Sequence, residues 1–237
     1  MKKIIISVSL LGALLGSNAA SAWDIWTTIG VKEWFTTYSP GVLPPDSKAV
    51  SNLSLTVGGE RLFVNFAGSS TTDYENPAYP VYPKAITHSQ ITLNLGYIAT
   101  SEFAFTIGIK KQTTHYDVPG FIQVSDGVFS ILGLVYTYSF ADSPFSISGN
   151  IAYGKGTRKF DGGTSNNLTG SSGGDGTYLG YELSGNYAVT QSFSLNLGYR
   201  VEQFDDLIPV SKSGSVYTLS MEKIRVSGAT VGLAYKF

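Results

Sequence analysis

Thr230-Val231-Gly232-Leu233-Ala234-Tyr235-Lys236-Phe237 closes the chain. Successive side chains of an extended strand take opposite faces, so Tyr235 and Phe237 share one side, with Gly232 and Lys236 on the other. A chain that stops on this pattern places its last residue in a sheet. That reading sets the period-2 frame against which the rest of the 237-residue sequence is judged.

The amino-terminal end has a different texture. Lys2 and Lys3 precede an apolar run from Ile4 to Leu15, and small residues then lead to Ala20-Ser21-Ala22. The order matches a secretory signal peptide cut after Ala22, giving a leader over 1–22 and a single mature domain over 23–237 that begins at Trp23. A membrane anchor is the weaker alternative, because roughly 12 apolar residues fall short of the ~20 a spanning helix needs. The chain has no cysteine, which removes disulfide frameworks and thiolate chemistry.

Composition argues against a soluble domain. Charged residues make up 14% of the chain where ~25% is usual, while aromatics reach 13% and glycines number 27. Of the 16 basic residues, Lys2 and Lys3 leave with the leader, so 14 face 17 acidic ones. A mature charge near −3 offers nothing to nucleic acid.

Short pivots organise the interior of the sequence into hairpins. About Gln191, Phe193, Leu195, Leu197, Tyr199 and Val201 match Val189, Tyr187, Gly185, Leu183 and Tyr181, while Ser194, Asn196, Arg200 and Glu202 match Ala188, Asn186, Glu182 and Gly180. One face is greasy and the other polar. Ser101 is a second pivot, setting Phe103, Phe105 and Ile107 against Ala99, Tyr97 and Leu95. A third lies between Asp142 and Ser143, pairing Phe145 and Ile147 with Phe140 and Tyr138. Gly59-Glu60 is a fourth, expected to set Val57, Leu55 and Leu53 against Leu62, Val64 and Phe66. Four hairpins, a first strand from about Asp24 and the terminal strand from about Arg225 make ten strands, with eight or twelve as the neighbouring alternatives. In the first strand, Lys32-Glu33-Trp34-Phe35 breaks clean alternation and predicts a bulge or a protruding strand.

An all-β chain with apolar residues outward and polar residues inward must close on itself in hydrocarbon, where no edge can go unpaired. The expected fold is a transmembrane antiparallel up-and-down β-barrel. Phe103, Phe140, Phe145, Phe193 and Phe237 gather at one interface, and Tyr153 and Tyr199 mark the other. Five longer connectors, about Ser39 to Lys48, Ser69 to Thr87, His115 to Asp126, Lys155 to Gly176 and Asp205 to Glu222, become extracellular loops. The second is rich in Pro and Tyr and the fourth in Gly, Ser and Asn. Inward Phe63, Ile98 and Val135 predict a partly filled lumen.

The terminal strand, with Gly232, Tyr235 and Phe237, resembles that of bacterial outer-membrane β-barrel proteins, where this pattern is the signal for the barrel-assembly machinery. In architecture the mature chain looks most like the small OmpA-like or opacity-type surface barrels. The resemblance implies an outer-membrane address reached through the periplasm, lipid and lipopolysaccharide as surroundings, a monomer, and loops that serve surface contact, adhesion or envelope integrity toward an extracellular ligand. A narrow porin-like channel is the competing function. An outer-membrane protease or lipid-modifying enzyme ranks below both.

Several constellations could carry chemistry. Glu182 and Arg200 face one another across the Gln191 pivot on the polar side, and Glu202, Lys110 and Lys32 can join them as a lumen ion pair, which either neutralises charge in a narrow barrel or tunes a thin channel. Lys111, Lys155 and Arg225 extend the outward rows and are expected to meet lipopolysaccharide phosphates, ordinary solvated rim charges being the alternative. Omptin proteases use Asp-Asp and Asp-His pairs at the rim. His115-Tyr116-Asp117 and Asp205-Asp206 invite comparison but differ in order and spacing. His88 and Ser89, adjacent on a strand, cannot serve as base and nucleophile. No phosphate loop, dinucleotide fingerprint or metal-spaced cluster is present, so neither a cofactor nor an enzymatic activity is expected.

Overall fold

The computed structural model describes residues 25–40, 46–70, 72–75, 85–118, 121–164, 167–213 and 216–237. The leader over 1–22 and the Pro/Tyr segment from Pro77 to Pro83 lie outside them. The described chain forms β1 (Trp26–Pro40), β2 (Asp46–Gly58), β3 (Leu62–Ser69), β4 (Thr72–Glu75), β5 (Ala85–Ile98), β6 (Phe103–Val118), β7 (Phe121–Ser139), β8 (Phe145–Thr164), β9 (Asn167–Ala188), β10 (Phe193–Ser213) and β11 (Val216–Lys236). Apart from β3 and β4, neighbours in sequence pair antiparallel, β1 pairs with β11, and β3 pairs with β5, so the sheet closes on itself.

Eleven segments make ten staves because β3 and β4 run in succession along β5, β3 against Ile91 to Tyr97 and β4 against Ala85 to His88. Hydroxyls patch the break between them: Ser70 Oγ accepts from the Ser51 amide and Ser69 Oγ from the Gln90 amide, each at 3.1 Å. The Ser51 and Gln90 amides are thereby paired at the break.

Three pivots lie where the residue pattern places them: Arg200 opposite Glu182, Phe105 opposite Tyr97 and Ile147 opposite Tyr138. Two of these turns use one device. Thr100 Oγ1 accepts from the amides of Glu102 and Phe103, and Thr190 Oγ1 from those of Ser192 and Phe193, so a threonine hydroxyl closes each reversal. The Gly59-Glu60 hairpin is corrected. Val57 pairs with Val64 and Leu55 with Phe66, a two-residue slip that moves the pivot to Glu60-Arg61 and leaves every side chain on its expected face. In the first strand the bulge is corrected: β1 pairs with β11 from Thr28 to Pro40 without a register shift, with Lys32 and Trp34 inward and Phe35 outward, and its 15 residues exceed the ~9–11 of a tilted membrane strand, as the protruding alternative has it.

The largest correction concerns the connectors. β8, β9, β10 and β11 are 20, 22, 21 and 21 residues long, about twice the ~9–11 that a tilted strand needs to cross a bilayer. Among the described residues, the stretches read as loops over 115–126, 155–176 and 205–222 are therefore paired strand. Above the membrane the outer face meets water, so the alternation that marks a lipid-facing strand fades while backbone pairing continues. Gly, Ser and Asn there do not mark an irregular coil. The cylinder extends well beyond the membrane on the side opposite the chain termini and short turns.

Within the belt, outward Leu132, Leu183 and Leu197 are each more than 60% exposed, and Phe105, Ile107 and Tyr199 more than half, whereas inward Thr230, Ser184 and Lys110 are buried. This inside-out partition suits hydrocarbon and not water. Leu197→Arg is expected to destabilise the barrel by ~2–4 kcal/mol in urea unfolding from lipid vesicles, while Asn196→Ser, one residue away on the inner face, changes it far less. Equal effects at the two positions would contradict the lipid-facing assignment.

Candidate functional site

Inward side chains of β1 and of β5 to β10 build two stacked layers across the lumen. In the lower one, Glu202 Oε1 accepts from Lys110 Nζ at 2.8 Å, from Tyr178 Oη at 2.9 Å and from the Arg200 guanidinium. The Tyr178 ring lies 4.7 Å from Lys110 Nζ and the Trp34 ring 4.7 Å from Arg200 Cζ. Cations set against ring faces in a water-poor space gain electrostatic support without a further carboxylate. Lys32 bridges the lumen to Glu182.

The stem of Lys32 determines a nearby residue. A Cβ on Gly232 would sit 2.5 Å from Lys32 Cγ, so this glycine gives the lysine room to lie along the wall. Gly232 therefore has a packing role beside its place in the terminal pattern. Tyr235 and Phe237 point outward, their rings edge to face at 4.8 Å.

The upper layer surrounds Arg158. Its guanidinium lies between Phe129 and Phe204, at 5.3 and 5.0 Å, donates to Gln112 Oε1 and the Asp205 carbonyl at 2.9 and 2.8 Å, and faces Asp206 at 3.5 Å. Asp206 in turn accepts hydroxyls from Thr114 and Tyr116 at 3.1 and 3.2 Å, and from Ser125. His88 stacks on Phe204, ring centroids 5.3 Å apart, and its Nδ1 meets Thr114 Oγ1 at 3.2 Å. Arg158, Asp206, Phe129 and Phe204 are all essentially inaccessible to solvent. The barrel is filled at this height.

Below the layers the lumen is hollow. One cavity of about 360 Å³ is bounded by Lys32, Asn94, Lys110, Tyr178, Glu182 and Arg200, and a second of about 190 Å³ lies toward the short turns between Thr28, Ser148, Asn186, Ser194 and Ala234. At the base Trp26 and Phe63 pack 6.4 Å apart, and the Phe63 ring covers Gly96, where a Cβ would come within 2.1 Å of it.

The residues singled out in the sequence distribute as follows. Lys110, Glu182, Arg200 and Glu202 share one interior network. Glu182 and Arg200 are register partners, yet their charges are matched elsewhere, Glu182 by Lys32 and Arg200 by Glu202 on its own strand. Lys111, Lys155 and Arg225 are exposed on the outer wall, where Lys155 is paired in register with Thr177 and Arg225 with Gln203. His115 is exposed on that wall whereas Asp206 is buried inside, so the two cannot act on one substrate. No group of three or more His, Asp or Glu able to hold a metal occurs among the described residues.

Sequence reasoning missed Arg158 and the core position of Asp206 because both fall in stretches, 155–176 and 205–222, that read as loops; Gln112 and Tyr178 stand just outside the connectors and were not singled out. The signal was present. Arg158 keeps the parity of Ser146, Ser148 and Asn150, and Asp206 that of Asn196, Arg200 and Glu202.

No protein-family model matches the chain, and no curated protein is similar to it in sequence. Among solved structures, the outer membrane protease OmpT from Escherichia coli is similar in fold, with a TM-score of 0.54 and 12% identity over 93% of this chain and 100% of that one. The translocator domain of the autotransporter NalP from Neisseria meningitidis matches at 0.49, with 12% identity over 98% and 95%, and Neisserial surface protein A at 0.41, with 11% identity over 92% and 100%. The likeness to OmpT is one of fold. With the outward apolar belt, it makes this chain an integral outer-membrane β-barrel of ten antiparallel staves.

Proposed function

We propose that the protein is a closed surface barrel, whose tall hairpins reach out of the outer membrane to make surface contacts in adhesion or envelope integrity, without catalysis. The observation that carries this reading is the filled cross-section around Arg158, Asp206, Phe129 and Phe204. Ions crossing the lumen would have to displace a buried ion pair and two aromatic rings. The elongated, paired β8–β9 and β10–β11 hairpins offer a stiff display surface in place of mobile loops. Lys111, Lys155 and Arg225, exposed on the outer wall, are suited to lipopolysaccharide phosphates. A narrow solute channel is the second reading, favoured by the two polar cavities below the filled layer.

Planar-bilayer recording of the purified barrel separates the two. The surface reading expects no stable current, together with loss of cell or matrix binding when residues 162–170 and 208–220 are excised above the core. A steady ohmic pore in the intact protein would favour the channel instead.

A further inference from the structure

The lower layer holds three cations, Lys32, Lys110 and Arg200, against two carboxylates, Glu182 and Glu202. Lys32 and Glu182 match one to one. Glu202 is shared by Lys110 and Arg200, so one positive charge lacks a carboxylate in a space where solvent screens little. The rings of Tyr178 and Trp34 support these cations but are weaker partners than an anion. Lys32, Lys110 and Arg200 all border the cavity of about 360 Å³, far larger than the ~30 Å³ of a liquid water.

A second observation points the same way. Gln90 borders this cavity, is 5% exposed, and its amide oxygen has no hydrogen-bond partner. Asn94 Oδ1, on the same wall, also lacks one. Side-chain amides can present either end, so both are placed to complete the polar shell of a guest that the cations attract. The smaller cavity reaches within three residues of the carboxy terminus at Ala234, and within two of the Thr190 to Ser192 turn at Ser194, which puts its approach on the periplasmic side.

We propose that the lower lumen is a blind, periplasm-facing vestibule that binds one small monovalent anion, a halide or carboxylate, against Lys110 and Arg200. The anion restores charge balance in the layer. Binding requires no passage through the barrel, so it is independent of whether the protein conducts.

Iodide quenching tests it. In a Trp23→Phe, Trp26→Phe background Trp34 is the remaining indole, and its ring lies against Arg200. Iodide should quench it saturably and more strongly than caesium by about threefold or more, with formate competing. Lys110→Met removes the surplus charge while leaving Arg200 with Glu202, and should lower iodide quenching to the caesium level in protein that still shows the folded, heat-modifiable band. If that variant does not fold, Arg200→Met makes the same change in charge. Bromide-soaked crystals should show an anomalous peak beside Lys110 and Arg200. Equal, non-saturable quenching by iodide and caesium, or bromide on the surface with none in the lumen, would overturn the proposal.

Discussion

Asp206→Ala is expected to destabilise the folded barrel by ~3–5 kcal/mol, the range for removing one partner of a buried ion pair. Arg158 and Asp206 have no solvent-accessible side chain, so the remaining guanidinium cannot turn to water for compensation. The substitution also removes the acceptor for Thr114, Tyr116 and Ser125. Arg158 then keeps its bonds to Gln112 Oε1 and the Asp205 carbonyl but loses its carboxylate. Arg158→Met in the same chain should restore much of the loss, because the enclosed charge disappears with its partner and an apolar side chain fills the slot between Phe129 and Phe204. Urea unfolding from lipid vesicles reads both effects. A wild-type midpoint for Asp206→Ala would show that the pair adds nothing to folding.

Removing the obstruction should change conduction as sharply. Phe129→Ala, Arg158→Ala and Tyr178→Ala together delete the sandwiched guanidinium, one of its rings, and the ring over Lys110; the Phe129 and Tyr178 rings lie 6.1 Å apart. The cavity below then gains a route upward. Bilayers holding the triple variant are expected to show discrete ohmic steps where the wild type shows none. Tyr178→Ala alone should remain silent, since Arg158, Phe129 and Phe204 still span the upper layer. Absence of current from a triple variant that migrates as folded barrel would mean that the barrier lies elsewhere. Collapse of the wall would be detected by the shift in gel mobility on heating.

Much of the membrane-level wall was readable from residues alone. Where one face meets lipid and the other a polar lumen, each strand records its environment at alternate positions, and Leu195, Leu197 and Tyr199 against Leu183 and Tyr181 need no further information. The slip at Gly59-Glu60 escaped notice because a two-residue shift preserves every facing. The interior site was legible in part. Lys110, Glu182, Arg200 and Glu202 stood on the polar face, but pairing among them depends on side chains crossing the lumen: Lys32 and Glu182 are 150 positions apart in sequence, and Lys110 and Glu202 are 92.

Sequence by itself determined that the chain is an inside-out antiparallel barrel, since hydrocarbon forces side-chain alternation and closure locally, strand by strand. Only the tertiary structure decided how tall the cylinder is, where its bore is blocked and which charges meet within it. Those properties arise from residues converging across the lumen from remote strands, and from backbone pairing above the membrane, where a wall that meets water lacks the outward apolar row that marks the strands below.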